Sequence, residues 1–228
     1  ALQRPGRAAQ ILPWLADVAR GLAAAHRVGV VHRDVKPANV LLASDAAGAV
    51  QAKLLDFGVA KLLPGVGGAG GVQTEAGAVL GTPYYLAPEQ ARGDAIDGRA
   101  DLYGLGVVLY EVLTGELPFV GADFMAILAQ HLKTPPLDPR QAAPERGIPD
   151  GVARLTMRLL AKDPQERLAD GDAVAAAITA LLTSERAALE RLVTGPPAVG
   201  LVEGTGAGTV RLGLAEGTGE GTVRLGLA

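Results

Sequence analysis

The sequence contains no cysteine. That excludes a disulfide framework and any thiolate metal site, and it fits a reducing compartment, so a cytoplasmic location is expected. There is no surplus of basic charge either: 21 Lys and Arg stand against 24 Asp and Glu, a formal net charge of −3. Neither nucleic acid nor an anionic membrane is therefore an expected partner. Long hydrophobic runs are missing too. The opening "ALQRPGRAAQILPWLADVAR" has no apolar signal core, and the most apolar stretch, "LYGLGVVLYEVLTG", carries Glu111 and is too short to cross a bilayer. No membrane segment is expected. What remains is a chain of 228 residues, long enough to bury a sizeable core and to be an enzyme.

Between Ala8 and Arg27 the apolar residues Ile11, Leu15, Val18, Leu22 and Ala25 fall at helical spacing on one stripe. Gly29 allows a turn. The stretch "VVHRDVKPANVLL" (30–42), with "VLLA" and "VQAKLLDF", reads as short β segments, the last two forming a hairpin across the turn-rich "SDAAG". From Leu63 to Gly81 seven glycines and little periodicity predict a long loop. In "ADLYGLGVVLYEVLTG", Leu102, Leu105, Leu109 and Val112 make one stripe while Val107, Val108 and Leu113 make the other faces apolar, so this helix is expected at the centre of the body. Weaker helical patterns follow at 122–132, 151–162 and 171–192, and the proline-rich "TPPLDPRQAAPERGIP" between them resists helix. The fold class expected is α+β, mainly α. Residues 1–193 form the folded domain. Residues 194–228 are a Gly/Thr-rich tail in which a 13-residue unit at 203–215 returns at 216–228 with one change, Ala207 to Glu220. Two such units are too few for a solenoid, and the tail is expected to be disordered.

The chemistry concentrates in two places. One is His32, Arg33, Asp34, Lys36 and Asn39, packed between apolar residues; the other is "LLDFG", with Asp56 directly after an apolar run and Gly58 beside it. Singly, each residue has an ordinary structural explanation. Together they place two carboxylates, an amide and a lysine at strand-to-loop junctions, which suits phosphoryl transfer: hard oxygen donors for Mg²⁺, and a group to orient the attacking hydroxyl. On this reading Asn39 and Asp56 share the metal, Asp34 receives or orients the hydroxyl proton, and Lys36 offsets charge on the transferred group.

At this point the chain resembles the eukaryotic-type serine/threonine protein kinases, in a bacterial style. "HRDVKPAN" is similar to their catalytic loop, "DFG" to their metal-binding motif and "GTPYYLAPEQ" to the end of their activation loop. "DLYGLGVVLYEVLTGELPF" is similar to their long central helix and "DPQERLAD" to a late arginine motif. The matches cover roughly residues 8 to 183. The resemblance implies ATP and Mg²⁺ as cofactors and a protein with a Ser or Thr hydroxyl as substrate. It implies Asp34 as catalytic base, Lys36 as phosphate contact, and Asn39 and Asp56 as metal and cofactor ligands. Arg33 would bind an activation-loop phosphate, Thr82 would contact the catalytic loop, and Thr74 would be an autophosphorylation site. Asp101 would hold the backbone around His32 and Arg33, and Glu89 with Arg167 would form a buried ion pair.

One part of the family pattern is missing from this sequence. Neither a glycine-rich strand–turn–strand nor a strand lysine with its helix glutamate is recognisable, and the glycines at 65, 67, 68, 70 and 71 follow "DFG" in the wrong place. The expectation is a large, C-terminal kinase lobe without the small lobe, a truncated portion inactive alone that takes ATP only when a small lobe is supplied. The alternative is a non-catalytic, kinase-like binding or scaffold module. Retention of Asp34, Lys36, Asn39 and Asp56 favours the first.

Overall fold

The computed structural model describes residues 7–44, 48–56, 83–194, 200–201 and 212–213. Phe57 to Thr82, and with them Thr74 and the long loop expected from Leu63 to Gly81, lie outside the described residues, as does most of the tail. Two units are distinguished, Ala1–Thr183 and Ser184–Ala228. In the second, the one described strand pairing sets Gly200 opposite Gly213 and Leu201 opposite Leu212, antiparallel.

Among its described residues the first unit is helical apart from one hairpin. Helix α1, Arg7–Arg27, buries the expected stripe of Ile11, Leu15, Val18 and Leu22, widened by Leu12, Ala16 and Ala19. Strands β1, Val40–Ser44, and β2, Val50–Leu54, pair antiparallel with Val40 opposite Leu54 and Leu42 opposite Ala52. Buried Ala52, with Val40 and Leu54 beside it, seats this hairpin on α1, where Asp17 Oδ2 accepts the Ala52 N–H at 3.3 Å. Residues 30–39 are not β. Pro37 opens a short 3₁₀ turn, Pro37–Asn39, and cannot donate to a ladder, so the strand starts only at Val40.

Helix α2, Pro88–Arg92, follows a 3₁₀ turn at Pro83–Tyr85. Helix α3, Arg99–Thr114, has 13 of its 16 residues buried, the outcome its all-round apolar pattern requires. It packs against α1, the 83–85 turn and the helix at Asp150–Leu159. Helix α4 runs Phe124–Lys133, capped by Asp123, and α6 runs Asp150–Leu159. Between them the proline-rich stretch still makes one turn of helix, α5, Pro139–Ala142, because Asp138 caps it and Pro139 sits at the first position, where no N–H is needed. Helix α7 spans Gly171–Thr194. None of the described helices is long and apolar enough to cross a membrane.

Two glycines set how closely other chain segments approach α3. A Cβ on Gly106 would lie 2.7 Å from Leu159 Cβ and 3.2 Å from Leu159 C, so α6 rests directly on the α3 backbone. A Cβ on Gly104 would lie 3.1 Å from both Val35 Cβ and Val35 O, so the same helix forms the floor under residues 33–35.

A polar cluster joins α3, α4 and the 160s. His131 is fully buried, with Nδ1 2.9 Å from the Tyr103 hydroxyl and its ring edge-on to Phe119. Lys162 Nζ lies 4.1 Å from the centre of the Phe119 ring and donates to the Tyr103 hydroxyl and the Gln130 carbonyl, both at 3.3 Å. Burial, with the Lys162 charge adding to it, pulls the His131 pKa down to about 4.

Two outcomes follow from this packing. Gly21 in α1 has nothing within 4 Å of an added Cβ, so Gly21→Ala is expected to stabilise by about 0.5–1 kcal/mol through helix propensity. Gly106→Ala is expected to destabilise by about 1–3 kcal/mol, since neither α6 nor α3 can yield cheaply; denaturant titration of both variants reads the opposite signs. The second outcome is a pH dependence. With the His131 pKa lower folded than unfolded, the unfolded chain binds the extra proton, so this contribution is complete above pH ~6.5 and is lost as pH falls from there toward 4. Unfolding free energy measured across that window should fall with a slope that His131→Gln removes.

Candidate active site

The site is assembled around one buried carboxylate. Asp101 lies in the first turn of α3, where the helix N-terminus favours negative charge, and it is 1% exposed. Its Oδ2 accepts the His32 N–H at 2.8 Å and its Oδ1 accepts the Arg33 N–H at 2.7 Å. His26 Nε2 reaches Oδ2 at 2.7 Å from the last turn of α1. The His26 ring can lie there because Gly98 has no side chain: a Cβ on it would stand 2.7 Å from His26 Cε1.

This grip imposes a conformation that the backbone otherwise resists. Arg33 has φ 65, the left-handed region, which costs a residue with a Cβ about 1–2 kcal/mol. Three bonds on one carboxylate outweigh that cost, and the turn they enforce redirects the chain so that Asp34 leaves the core. His32 stays behind, fully buried, with Nε2 2.9 Å from the Leu55 carbonyl and Nδ1 accepting the Asp34 N–H at 3.3 Å.

Beyond the turn the polar side chains knit together. Lys36 Nζ donates to Asp34 Oδ2 at 2.8 Å, both groups being about one-third exposed. Asn39, at the end of the 3₁₀ turn, donates Nδ2 to the Asp34 carbonyl at 2.7 Å and to Asp34 Oδ2 at 3.3 Å. The Leu55 N–H in turn donates to the Asn39 carbonyl at 2.8 Å. The residue after Leu55 is Asp56, exposed and also left-handed at φ 51. Leu55 therefore binds both His32 and Asn39, and the backbone that presents Asp56 runs beside the backbone that presents Asp34 and Asn39. Asp34 does not sit at a strand end as its sequence context suggested; it lies six residues before β1, in irregular chain.

The donor set is of one kind. Asn39 commits its Nδ2 to Asp34, which leaves its side-chain oxygen Oδ1 as the atom able to meet a cation, and Asp56 offers a carboxylate. Among the described residues no three His, Cys, Asp or Glu side chains cluster as a self-sufficient metal cage. Mg²⁺ is commonly held by one or two protein oxygens with water and phosphate completing its shell, so the pair fits that ion without a cage.

The second anchor is the buried pair of α2. Arg167 donates from Nη1 to Glu89 Oε1 at 2.6 Å and from Nη2 to Oε2 at 2.8 Å, and it also bonds the carbonyls of Arg99 and Ala161. Nearby, Tyr85 donates to Glu111 Oε2 at 2.8 Å; burial, with that bond adding to it, raises its hydroxyl pKa above the usual range. Of the residues expected to act, the structure brings together His32, Arg33, Asp34, Lys36, Asn39 and Asp101, with Asp56 alongside, while Glu89 and Arg167 form their own pair. Thr74 and Thr82 lie outside the described residues.

Two residues went unsuspected. His26 and Arg27 are basic residues at a helix C-terminus, an ordinary place for them, so nothing marked His26 out. Gln90 stands in the quoted "APEQ" but had no assigned role; its Nε2 donates to the Arg33 carbonyl at 3.0 Å. Because Asp101 accepts on both oxygens, Asp101→Asn should turn an NH₂ toward one of those N–H groups and leave it unsatisfied. A loss of about 2 kcal/mol or more is expected, read as a lower denaturant midpoint with an unchanged slope.

Comparison with known proteins gives this geometry a family. The protein kinase domain matches residues 5–180 of the chain. The serine/threonine-protein kinase pkn2 of Myxococcus xanthus is 48% identical over 181 residues, covering 78% of this chain and 21% of that protein. The serine/threonine-protein kinase PknB of Mycobacterium tuberculosis is 40% identical over 163 residues, covering 72% of this chain and 24% of its own length. The chain thus spans about a quarter or less of the length of these relatives. With the Asp101-held turn, the Asp34–Lys36–Asn39 knot and the Glu89–Arg167 pair lying within the matched span, the chain belongs to the protein kinase domain family.

Proposed function

We propose that this chain carries the catalytic lobe of a bacterial serine/threonine protein kinase, which moves the terminal phosphoryl group of Mg-ATP to a Ser or Thr hydroxyl of a protein. The observation that carries the reading is the knot of Asp34, Lys36 and Asn39 held at hydrogen-bond distances on a strained turn. Asp34 accepts the proton of the substrate hydroxyl as its oxygen bonds to phosphorus and the bond to ADP breaks. Lys36, 2.8 Å from Asp34, keeps that carboxylate in place and offsets negative charge on the moving group. Asn39 and Asp56 supply the oxygens for Mg²⁺, which neutralises the phosphates when bound. Arg33 takes a phosphate on the segment that contains Thr74, and Thr82 contacts the catalytic loop.

The finer reading is that this is the large lobe, with the grip on the nucleotide supplied by a small lobe. Two features support it. Among the described residues of Ala1–Thr183 the strands are β1 and β2 alone, and neither contains the glycines that a phosphate-covering strand pair needs. The hairpin and the chain leading to it also expose apolar side chains: Val30, Leu41, Leu42, Val50 and Leu55 are each 40% or more accessible. Exposed apolar side chains on this hairpin suit contact with an adenine ring and a covering lobe.

The test is phosphate transfer from labelled ATP to a Ser/Thr peptide. The 228-residue chain alone is expected to transfer no measurable phosphate, and the chain joined to a segment bearing the strand lysine and glycine-rich loop is expected to be active. There Asp34→Asn should lower kcat by about 10²–10⁴ with the fold intact, and Asp56→Asn should chiefly raise KM for Mg-ATP. Activity of the joined protein that survives Asp34→Asn would overturn the assignment.

A further inference from the structure

Asp101 accounts for only one end of the strained residue. Arg33, at φ 65, gives its N–H to Asp101 Oδ1 at 2.7 Å, while its carbonyl accepts a bond from Gln90 Nε2 at 3.0 Å. Gln90 is 8% exposed, and its Oε1 accepts the Ala87 N–H at 3.0 Å. The two partners fix the orientation of the amide. A main-chain N–H needs an acceptor and a carbonyl needs a donor, so only Oε1 toward Ala87 and Nε2 toward Arg33 satisfies both. Arg33 is therefore clamped from two helices, at its N–H by α3 and at its carbonyl by α2.

The position of α2 is itself fixed. Glu89, the neighbour of Gln90, is locked by both of its oxygens to Arg167. Gln90 thus acts from a rigid mount, and the peptide it holds is the one that leads directly into Asp34. We infer that Gln90 is a positioning residue that ties α2 to the Arg33 carbonyl and thereby holds Asp34 in place for the reaction. The link to the reaction rests on Asp34 being the proton acceptor; the clamp itself rests on the geometry alone. A shift of α2 is passed through Gln90 to the turn, so α2 and the residue that takes the proton move as one unit.

Gln90→Glu is the discriminating variant. The carboxylate is nearly isosteric and still accepts from Ala87, but it turns an oxygen toward the Arg33 carbonyl in place of a donor. Residue-resolved amide exchange by NMR on the full 228-residue chain needs no nucleotide and no activity. Protection of the Arg33 and Asp34 amides is expected to fall about tenfold, with the Leu105 and Leu109 amides of α3 unchanged. In an Arg33→Gly background, where the left-handed backbone is unstrained, the same change should lower Asp34 protection by less than about threefold, because the clamp then has less to hold. Equal losses in the two backgrounds would mean that Gln90 only packs. If Gln90→Glu also loosens α3, Gln90→Met decides: a loss confined to Arg33 and Asp34 supports the clamp, and parent-like exchange there overturns it. These rates are indifferent to whether the chain transfers phosphate, so failure of the clamp and failure of the kinase reading are told apart.

Discussion

Everything at the site depends on the carboxylate of Asp101, which is fully buried and holds three nitrogen-bound groups at 2.7 to 2.8 Å. A buried carboxylate is costly unless its oxygens are well bonded, and here each bond also has a structural consequence. The bond to Arg33 forces a backbone turn that an arginine would not choose. The bond to His32 keeps that imidazole in the core, where it reaches Leu55 and so draws in the chain carrying Asp56. The bond from His26 ties α1 to the same point. One side chain thus converts packing of α1 on α3 into the placement of polar groups outside the core.

The remainder of the fold supplies the rigidity this arrangement needs. Gly104 lets Val35 lie directly against α3, so the turn rests on main chain rather than on adjustable side chains. Gly106 does the same for α6. The Glu89–Arg167 pair, fully buried and bidentate, fixes α2; such a pair adds little net stability over an apolar replacement, yet losing one partner would strand a buried charge. Strain at Arg33 and Asp56 falls on residues flanking or forming the candidate site, the usual location for backbone conformations that surrounding structure must over-determine.

Much of this was legible in the sequence, for identifiable reasons. Helix α3 announced itself because all its faces are apolar, and α1 because its apolar stripe is regular. Asp34, Lys36, Asn39 and Asp56 stood out because polar residues crowded between apolar ones demand an explanation, and because their order matches a family pattern. What could not be read is equally physical. Residues 30–39 looked like a strand since apolar residues flank them, but the hydrogen bonds that His32 and Arg33 donate to Asp101 and the proline at 37 override β propensity there. The left-handed backbone at Arg33 is imposed by a residue far along the chain, with no local glycine to signal it. His26 and Gln90 act through single long-range bonds, which leave no periodic trace.

On the proposed function, the Asp101-held turn is the device that brings Asp34, Asn39 and Asp56 to one phosphoryl-transfer centre. The most direct measurement is a crystal structure of the chain joined to a segment bearing the strand lysine and glycine-rich loop, with Mg²⁺, a non-hydrolysable ATP analogue and a serine peptide. Asn39 and Asp56 oxygens are expected about 2.0–2.1 Å from Mg²⁺ and an Asp34 oxygen about 2.6–3.2 Å from the serine hydroxyl. A metal bound without Asp56, or a hydroxyl beyond hydrogen-bond reach of Asp34, would contradict that function.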